Sequence, residues 1–185
     1  MRSPWRCPLP TGNPVPLDTL VARLLVQNFI SAPAPVFRKS AWIDSGGLDE
    51  TLWYTADWDI WLKLAVQGPV LYHQEAMTGF RIHGDSLTVT GSRDLDGFTA
   101  QMETVLSRHL PLLGLQGNVV ERTGLASIAI NAALAAAAGG DLRRLPRAIT
   151  GLLRLGPSGI INYIQNSRIA ERITSRVRAK LRGAF

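Results

Sequence analysis

Residues 55–61 read Thr-Ala-Asp-Trp-Asp-Ile-Trp and place two carboxylates on either side of one tryptophan. Three kinds of role fit this spacing. Asp57 and Asp59 could hold a divalent cation, Asp57 could remove a proton as a general base, or Asp57 could do no more than cap the helix that follows. The elements around the two acids bear on this choice.

Helical periodicity surrounds the acidic segment. Apolar residues recur at helical spacing over 16–28 and again over 57–67, which predicts two helices, the second with Asp57 as its N-cap. Within that second helix, Asp59 and Lys63 are four residues apart and are expected to form an exposed ion pair.

Two short strands are predicted after that helix. Residues 69–73 and 77–83 are each bounded by Gly, Pro and polar residues, as strands commonly are. In the second strand Arg81 and His83 are two residues apart, so they would project from the same face. Before the helix, the pair Gly46-Gly47 predicts a tight loop.

The composition divides the chain into three parts. Residues 1–16 contain five of the eleven prolines and predict an irregular lead-in. Residues 17–93 mix helix and strand signals, and residues 94–185 carry helix signals throughout. The clearest of these later helices are predicted over about 97–109 and 119–138.

Length and composition limit the classes of protein. The 185 residues correspond to one domain, or to one small domain with an appendage. Cys7 is the one cysteine, so it cannot form a disulfide within the chain, which fits a reducing compartment. The most apolar run, 124–138, is alanine-rich and shorter than the roughly 20 residues of a membrane span, so it predicts a buried helix.

The net charge of +6 is concentrated after residue 140. Within residues 168–182, Ile169, Ile173, Val177 and Leu181 recur every four residues with basic residues beside them, which predicts a basic amphipathic helix. Such a helix could lie on an anionic membrane surface, or it could dock its apolar side on the preceding helices and leave its arginines in solvent. Nucleic-acid binding is not favoured, because no aromatic residues are interleaved with the charges.

Short motifs follow one another in a fixed order within residues 17–90. They are Asn28, Arg38-Lys39, Gly46-Gly47-Leu48-Asp49-Glu50, Asp57, Trp61-Leu62-Lys63-Leu64 and Arg81-Ile82-His83. Each motif is weak when taken singly. Their order and spacing resemble the acceptor half of the family 2 glycosyltransferases, which are inverting enzymes of the GT-A fold.

This resemblance implies a fold and an activity. The fold would be α/β, a partial GT-A-type (Rossmann-like) domain with few strands, followed by an all-α C-terminal region. The activity would be inverting transfer of a sugar from a nucleotide-sugar donor to a saccharide or lipid-linked acceptor in cell-surface polysaccharide synthesis. The location would be cytoplasmic, either free or at the inner face of the membrane.

The same resemblance implies that a nucleotide-binding half with an Asp-x-Asp metal motif is missing. The 16 residues before the first predicted helix are too few to form it. We therefore expect the chain alone to be inactive. The alternative from another functional class is a non-catalytic helical interaction or membrane-surface module that carries a truncated glycosyltransferase segment.

The resemblance assigns the catalytic role to Asp57, which matches the family's base. Ala56 stands where the family usually has Glu. The position of the base at a helix N-terminus would keep the carboxylate ionised. Asp57-x-Asp59 is not expected to be the metal motif, because that motif should end an apolar strand and here a helix follows. A helix-capping role for Asp57 is the simpler alternative.

The resemblance also assigns binding roles. His83 would reach the divalent metal (Mg or Mn) or the diphosphate, with Arg81 adding positive charge. Gly46 and Gly47 would let the backbone approach the donor sugar, and Trp58 would offer a ring face to a sugar. The simpler alternatives are a surface histidine, an ordinary turn and a core tryptophan.

Overall fold

A computed structural model describes residue 7, residues 9–79, residues 94–167 and residue 169. The described residues form seven α-helices: α1 (Leu17–Val26), α2 (Lys39–Asp44), α3 (Ala56–Ala65), α4 (Leu95–His109), α5 (Gly117–Ala138), α6 (Leu145–Leu153) and α7 (Gly156–Ser167). A 3₁₀ helix, Leu110–Gln116, joins α4 to α5. The fold in this part of the chain is therefore all-helical.

The prediction of an α/β, GT-A-type domain is wrong, because the described residues contain no strand and no sheet. Residues 69–73 make one isolated antiparallel bridge, in which the Val15 N–H donates to the Val70 carbonyl at 2.8 Å. A strand signal needs neighbouring strands to become a sheet, and this one meets only the irregular lead-in. Residues 77–79 are likewise not a strand, and residues 80–83 lie outside the described part.

Helices α1 and α5 form the centre of the bundle. The predicted apolar side of α1 is fully buried, from Leu20 and Val21 to Leu24 and Leu25. Helix α5 packs against α1, α4, α6 and α7. Its small side chains allow close helix packing, so the buried alanine-rich helix predicted over 124–138 is confirmed.

The segment Leu95–Ala137 has one bend that determines how it packs. Its length and composition would allow it to cross a membrane. Gly114 interrupts it with φ 51° and ψ −124°, a conformation that glycine adopts readily. The bend returns α5 against α4, so the two halves pack on each other and α5 becomes the central core helix.

One apolar core joins the residues on both sides of position 93. Ile60 and Leu62 of α3 belong to the same buried cluster as Val105 and Leu106 of α4 and Ile128 of α5. Burial of this continuous surface stabilises α3 against the later helices. The segment that carries the acidic residues is therefore held by the helices that follow it.

At Gly124 of α5, both α1 and α4 lie close to the backbone. A Cβ atom at this position would lie 2.9 Å from Leu106 Cδ1 and 3.0 Å from the Leu25 carbonyl oxygen. We expect Gly124→Ala to lower the free energy of unfolding by about 1–2 kcal/mol, because the backbone oxygen cannot move aside as a side chain can. Urea denaturation would measure this change.

Gly151 of α6 provides the matched control. Its added Cβ would meet Ala126 Cα at 3.5 Å, an ordinary van der Waals distance. Gly151→Ala should keep or raise stability, by up to about 1 kcal/mol, through higher helix propensity. Equal stabilities for the two variants would contradict the close packing at Gly124.

Candidate functional site

The acidic segment lies at the start of α3. Thr55 is the N-cap residue, and its carbonyl accepts the Asp59 N–H at 3.0 Å. Asp57 lies inside the first turn, so the prediction that Asp57 is the N-cap is wrong. A carboxylate in the first turn still lies close to the positive end of the helix dipole.

Asp57 is half-buried and is held by a residue from a distant part of the sequence. Asn28, just beyond the end of α1, donates from Nδ2 to Asp57 Oδ1 at 3.3 Å. Asn28 is itself fixed, because its Oδ1 accepts the Ile30 N–H at 3.2 Å. Two motif residues that are 29 positions apart therefore meet in one hydrogen bond.

Burial raises the pKa of Asp57 above its ordinary value of 3.8. Hydrogen bonds from the Trp58 N–H and from Asn28 act in the opposite direction but are outweighed. The sequence predicts a carboxylate kept ionised by the helix dipole. Loss of water at the site has the larger effect, since desolvation penalises the charged form.

Asp59 is the centre of a buried charge cluster. Its side chain is 0% exposed and forms three short contacts: Lys63 Nζ at 2.7 Å, Arg108 Nη1 at 2.9 Å and His109 Nε2 at 2.7 Å. The prediction of an exposed Asp59–Lys63 pair is therefore wrong. The pair exists, but α4 covers it and adds two further cationic or hydrogen-bonding partners.

The cluster also holds the glycine loop. Lys63 Nζ donates to the Gly47 carbonyl at 3.3 Å, and Arg108 Nη1 contacts Asp49 Oδ2 at 2.9 Å as well as Asp59. The loop at Gly47 and Asp49 is thus connected to α3 and α4 through Lys63 and Arg108, which both contact the Asp59 carboxylate.

The protonation states in the cluster follow from these contacts. Burial acts to raise the pKa of Asp59, but the hydrogen bonds from Lys63, His109 and Arg108 together outweigh it and leave the pKa lowered. Burial lowers the pKa of His109 by more than Asp59 raises it. A neutral His109 must then carry its proton on Nε2, since an ionised carboxylate can only accept.

Gly46 and Gly47 form the turn that ends α2. Their φ angles are +78° and +67°, a left-handed conformation that favours glycine. The Gly47 N–H donates to the Trp42 carbonyl at 3.2 Å, and a Cβ on Gly47 would lie 3.4 Å from Trp42 Nε1. Helix termination accounts for both glycines, and their contact with a donor sugar stays a prediction.

Trp58 packs in the core. Its ring is buried, and Nε1 donates to the Leu24 carbonyl at 2.9 Å. This position leaves no open ring face for a sugar in the structure, so the interpretation of Trp58 as a core residue fits better than a binding wall. Arg81 and His83 lie outside the described residues.

The resemblance implies a divalent metal, which several ligating side chains would have to hold together. Among the residues that the structure describes, no three His, Cys, Asp or Glu side chains come together as ligands for a metal ion. Asp57 and Asp59, which the sequence places two apart, have different partners.

No known family, curated protein or solved structure matches this chain.

The residues that the sequence did not identify are Arg108 and His109. Both lie at the end of α4, about 50 positions after Asp59. Their adjacency in the last turn of a helix is usual for basic residues near a negative helix end, so it does not point to a partner. Only the packing of α4 on α3 brings them to Asp59.

Asp59→Asn should destabilise the protein by about 3 kcal/mol at neutral pH, because Lys63 loses its ion-pair partner and Arg108 keeps only Asp49. The folded-state pKa of Asp59 is lowered, so its contribution is present above the unfolded value of 3.8 and is lost as pH falls through the folded-state pKa. Urea denaturation at several pH values would measure both effects.

Asp96→Asn is the control for this variant. Asp96 pairs with Arg144 at 2.6 Å, but its side chain is 92% exposed. Its loss should change stability by no more than about 1 kcal/mol. If Asp59→Asn and Asp96→Asn lowered the free energy of unfolding equally, the buried Asp59 cluster would stabilise the fold no more than an exposed ion pair does.

Asp57→Asn should have the opposite pH dependence. The folded-state pKa of Asp57 is raised, so wild type loses stability as pH rises from the unfolded value of 3.8 through the folded-state pKa, and the variant does not. We expect equal stabilities in acid and a variant more stable than wild type at neutral pH. If the stabilities of the Asp57 and Asp59 variants changed with pH in the same way, the opposite pKa shifts of the two carboxyl groups would be contradicted.

Proposed function

We propose that this chain provides the acceptor side of an inverting sugar transferase of the family 2 type, with Asp57 as the catalytic base. The observation that carries the proposal is the Asn28–Asp57 hydrogen bond at 3.3 Å. It joins two motifs of the resemblance that are far apart in sequence, at a half-buried carboxylate.

Further motif residues converge on the same helix. Gly47 is held by Lys63, and Asp49 is linked through Arg108 to Asp59. The Lys63–Gly47 contact joins two motif residues that the sequence separates, and Arg108 of α4 ties the motif residue Asp49 to α3 through Asp59. Contacts of this kind can hold a base in a constant position.

The reaction assigned to the site is a single displacement. The acceptor hydroxyl oxygen attacks the anomeric carbon of the donor sugar as its proton passes to the Asp57 carboxylate. The bond from that carbon to the diphosphate breaks, and the nucleoside diphosphate leaves with the electron pair, so the configuration inverts. The raised pKa of Asp57 suits this role, since a base is most effective when its pKa lies nearer the working pH.

Asn28 has a positioning role in this scheme. Its amide is oriented by the Ile30 N–H, and it holds one carboxylate oxygen of Asp57. The nucleotide-sugar donor is assigned to a nucleotide-binding part outside these 185 residues. A divalent metal bound by that part would neutralise the diphosphate as it leaves.

Sugar transfer tests the proposal, with this chain expressed together with the nucleotide-binding part that donor binding requires. Radiolabelled nucleotide sugars serve as donors, and saccharides or lipid-linked saccharides as acceptors. Asp57→Asn should lower kcat by about 100-fold or more and leave the KM for the donor nearly unchanged.

Asp44→Asn is the matched control, because Asp44 is an exposed aspartate at the end of α2. It should transfer sugar at the wild-type rate. Near-normal turnover by Asp57→Asn would remove Asp57 from the base role.

The all-helical architecture of the described residues favours a second candidate, a non-catalytic helical interaction module. A donor screen separates the two. If transfer is absent with every nucleotide sugar while the chain remains folded, the helical module is the better assignment.

A further inference from the structure

We propose that α6 and α7 form a docking surface for an anionic membrane. This inference does not depend on the sugar-transferase proposal.

Only one side of α6 packs against the core. Ala148 is buried, and Gly151 packs on Ala126, where an added Cβ would lie 3.5 Å from Ala126 Cα. The opposite side also carries aliphatic residues, yet Ile149 is 55% exposed and Leu153 66% exposed. Together with the exposed Pro146 they follow the 3-and-4 spacing of one helix face.

Helix α7 repeats the arrangement. Tyr163 and Ser167, four residues apart, are buried on its inner side. Pro157, Ile161 and Ile164 are exposed and again follow 4-and-3 spacing. Two neighbouring helices that pack on each other therefore each keep an aliphatic row in solvent.

Arginine side chains accompany the aliphatic row of α6. Arg147 and Arg154 are exposed, and neither takes part in an ion pair among the described residues. Exposed aliphatic residues with arginines beside them match the boundary between acyl chains and acidic headgroups. Arginine can place its stem along the apolar layer while its guanidinium reaches a phosphate.

The distribution of charge along the chain also favours an anionic partner for this end. Residues 141–185 hold ten of the twenty basic residues and two of the fourteen acidic ones, a net charge of +8 against −2 for the rest. An anionic surface would therefore attract the chain with the end that contains α6 and α7. A second copy of the chain is a poorer partner, since two such basic surfaces repel each other.

A nucleic acid would account for the arginines but not for the aliphatic rows. Nucleic-acid backbones are bound through phosphate contacts, and the bases stack on aromatic rings. The two exposed rows contain only isoleucine, leucine and proline. The combination favours lipid.

Vesicle flotation tests the docking surface with the full 185-residue chain. The chain should float with phosphatidylcholine vesicles that contain phosphatidylglycerol and remain in solution with phosphatidylcholine alone. Ile149→Ser with Leu153→Ser should weaken binding about tenfold. The matched control is Ile43→Ser with Val119→Ser, which removes aliphatic residues of similar exposure, 63% and 61%, from elsewhere on the surface.

The charge is tested separately. Arg147→Gln with Arg154→Gln should weaken binding to the anionic vesicles by about tenfold or more and reduce its sensitivity to salt. Arg38→Gln with Arg122→Gln, which removes two exposed arginines outside α6 and α7, should have less effect. Thermal unfolding of each variant confirms that it is folded.

A fluorescent label locates the contact. In a Cys7→Ser background, an environment-sensitive dye on Leu153→Cys should shift its emission to the blue with anionic vesicles, and the same dye on Ile43→Cys should not. Vesicle binding unaffected by the Ile149 and Leu153 substitutions would overturn the proposal. So would salt-sensitive binding of DNA or RNA with no binding to the vesicles.

Discussion

The carboxylate of Asp59 is the point on which the arrangement around α3 depends. A fully buried ionised group is costly unless charges and hydrogen bonds compensate it, and here Lys63, Arg108 and His109 do so from two helices. Because Lys63 and Arg108 also contact the loop at Gly47 and Asp49, the same compensation sets where that loop lies. The apolar core holds α3 against α4, and this cluster adds polar contacts between the two helices.

Asp57 and Asp59 show how strongly local environment divides two residues of the same type. Both lie in the first turn of α3, yet the pKa of Asp57 is raised and that of Asp59 lowered. Asp57 has a neutral amide as its side-chain partner, whereas Asp59 has cationic groups. The helix dipole acts on both, so it cannot be the cause of the difference. Asp59 therefore serves as an anchor whose charged form its partners favour, and Asp57 is the acid suited to exchange a proton.

The helices were largely predictable because amphipathic periodicity reports burial directly. The pattern at 16–28 became α1 with the expected residues inside, and the pattern at 57–67 became α3. Periodicity could not decide whether the segments 69–73 and 77–83 form strands. Strand signals are local, but a sheet requires partners elsewhere in the chain, and Val70 meets a single residue, Val15. The resemblance that suggested an α/β fold rested on short motifs, which describe the neighbourhood of a site more closely than they describe a whole architecture.

By itself, the sequence determined the helix periods, the glycine turn after α2, the basic character of the last quarter of the chain and the position of Asp57 at a helix start. Tertiary structure alone decided that Asn28 meets Asp57, that Arg108 and His109 cover Asp59, and that one aliphatic row of α6 remains in solvent. The physical reason is that periodicity and propensity act over a few residues. A pKa, an ion pair and an exposed face depend on which distant segments pack together.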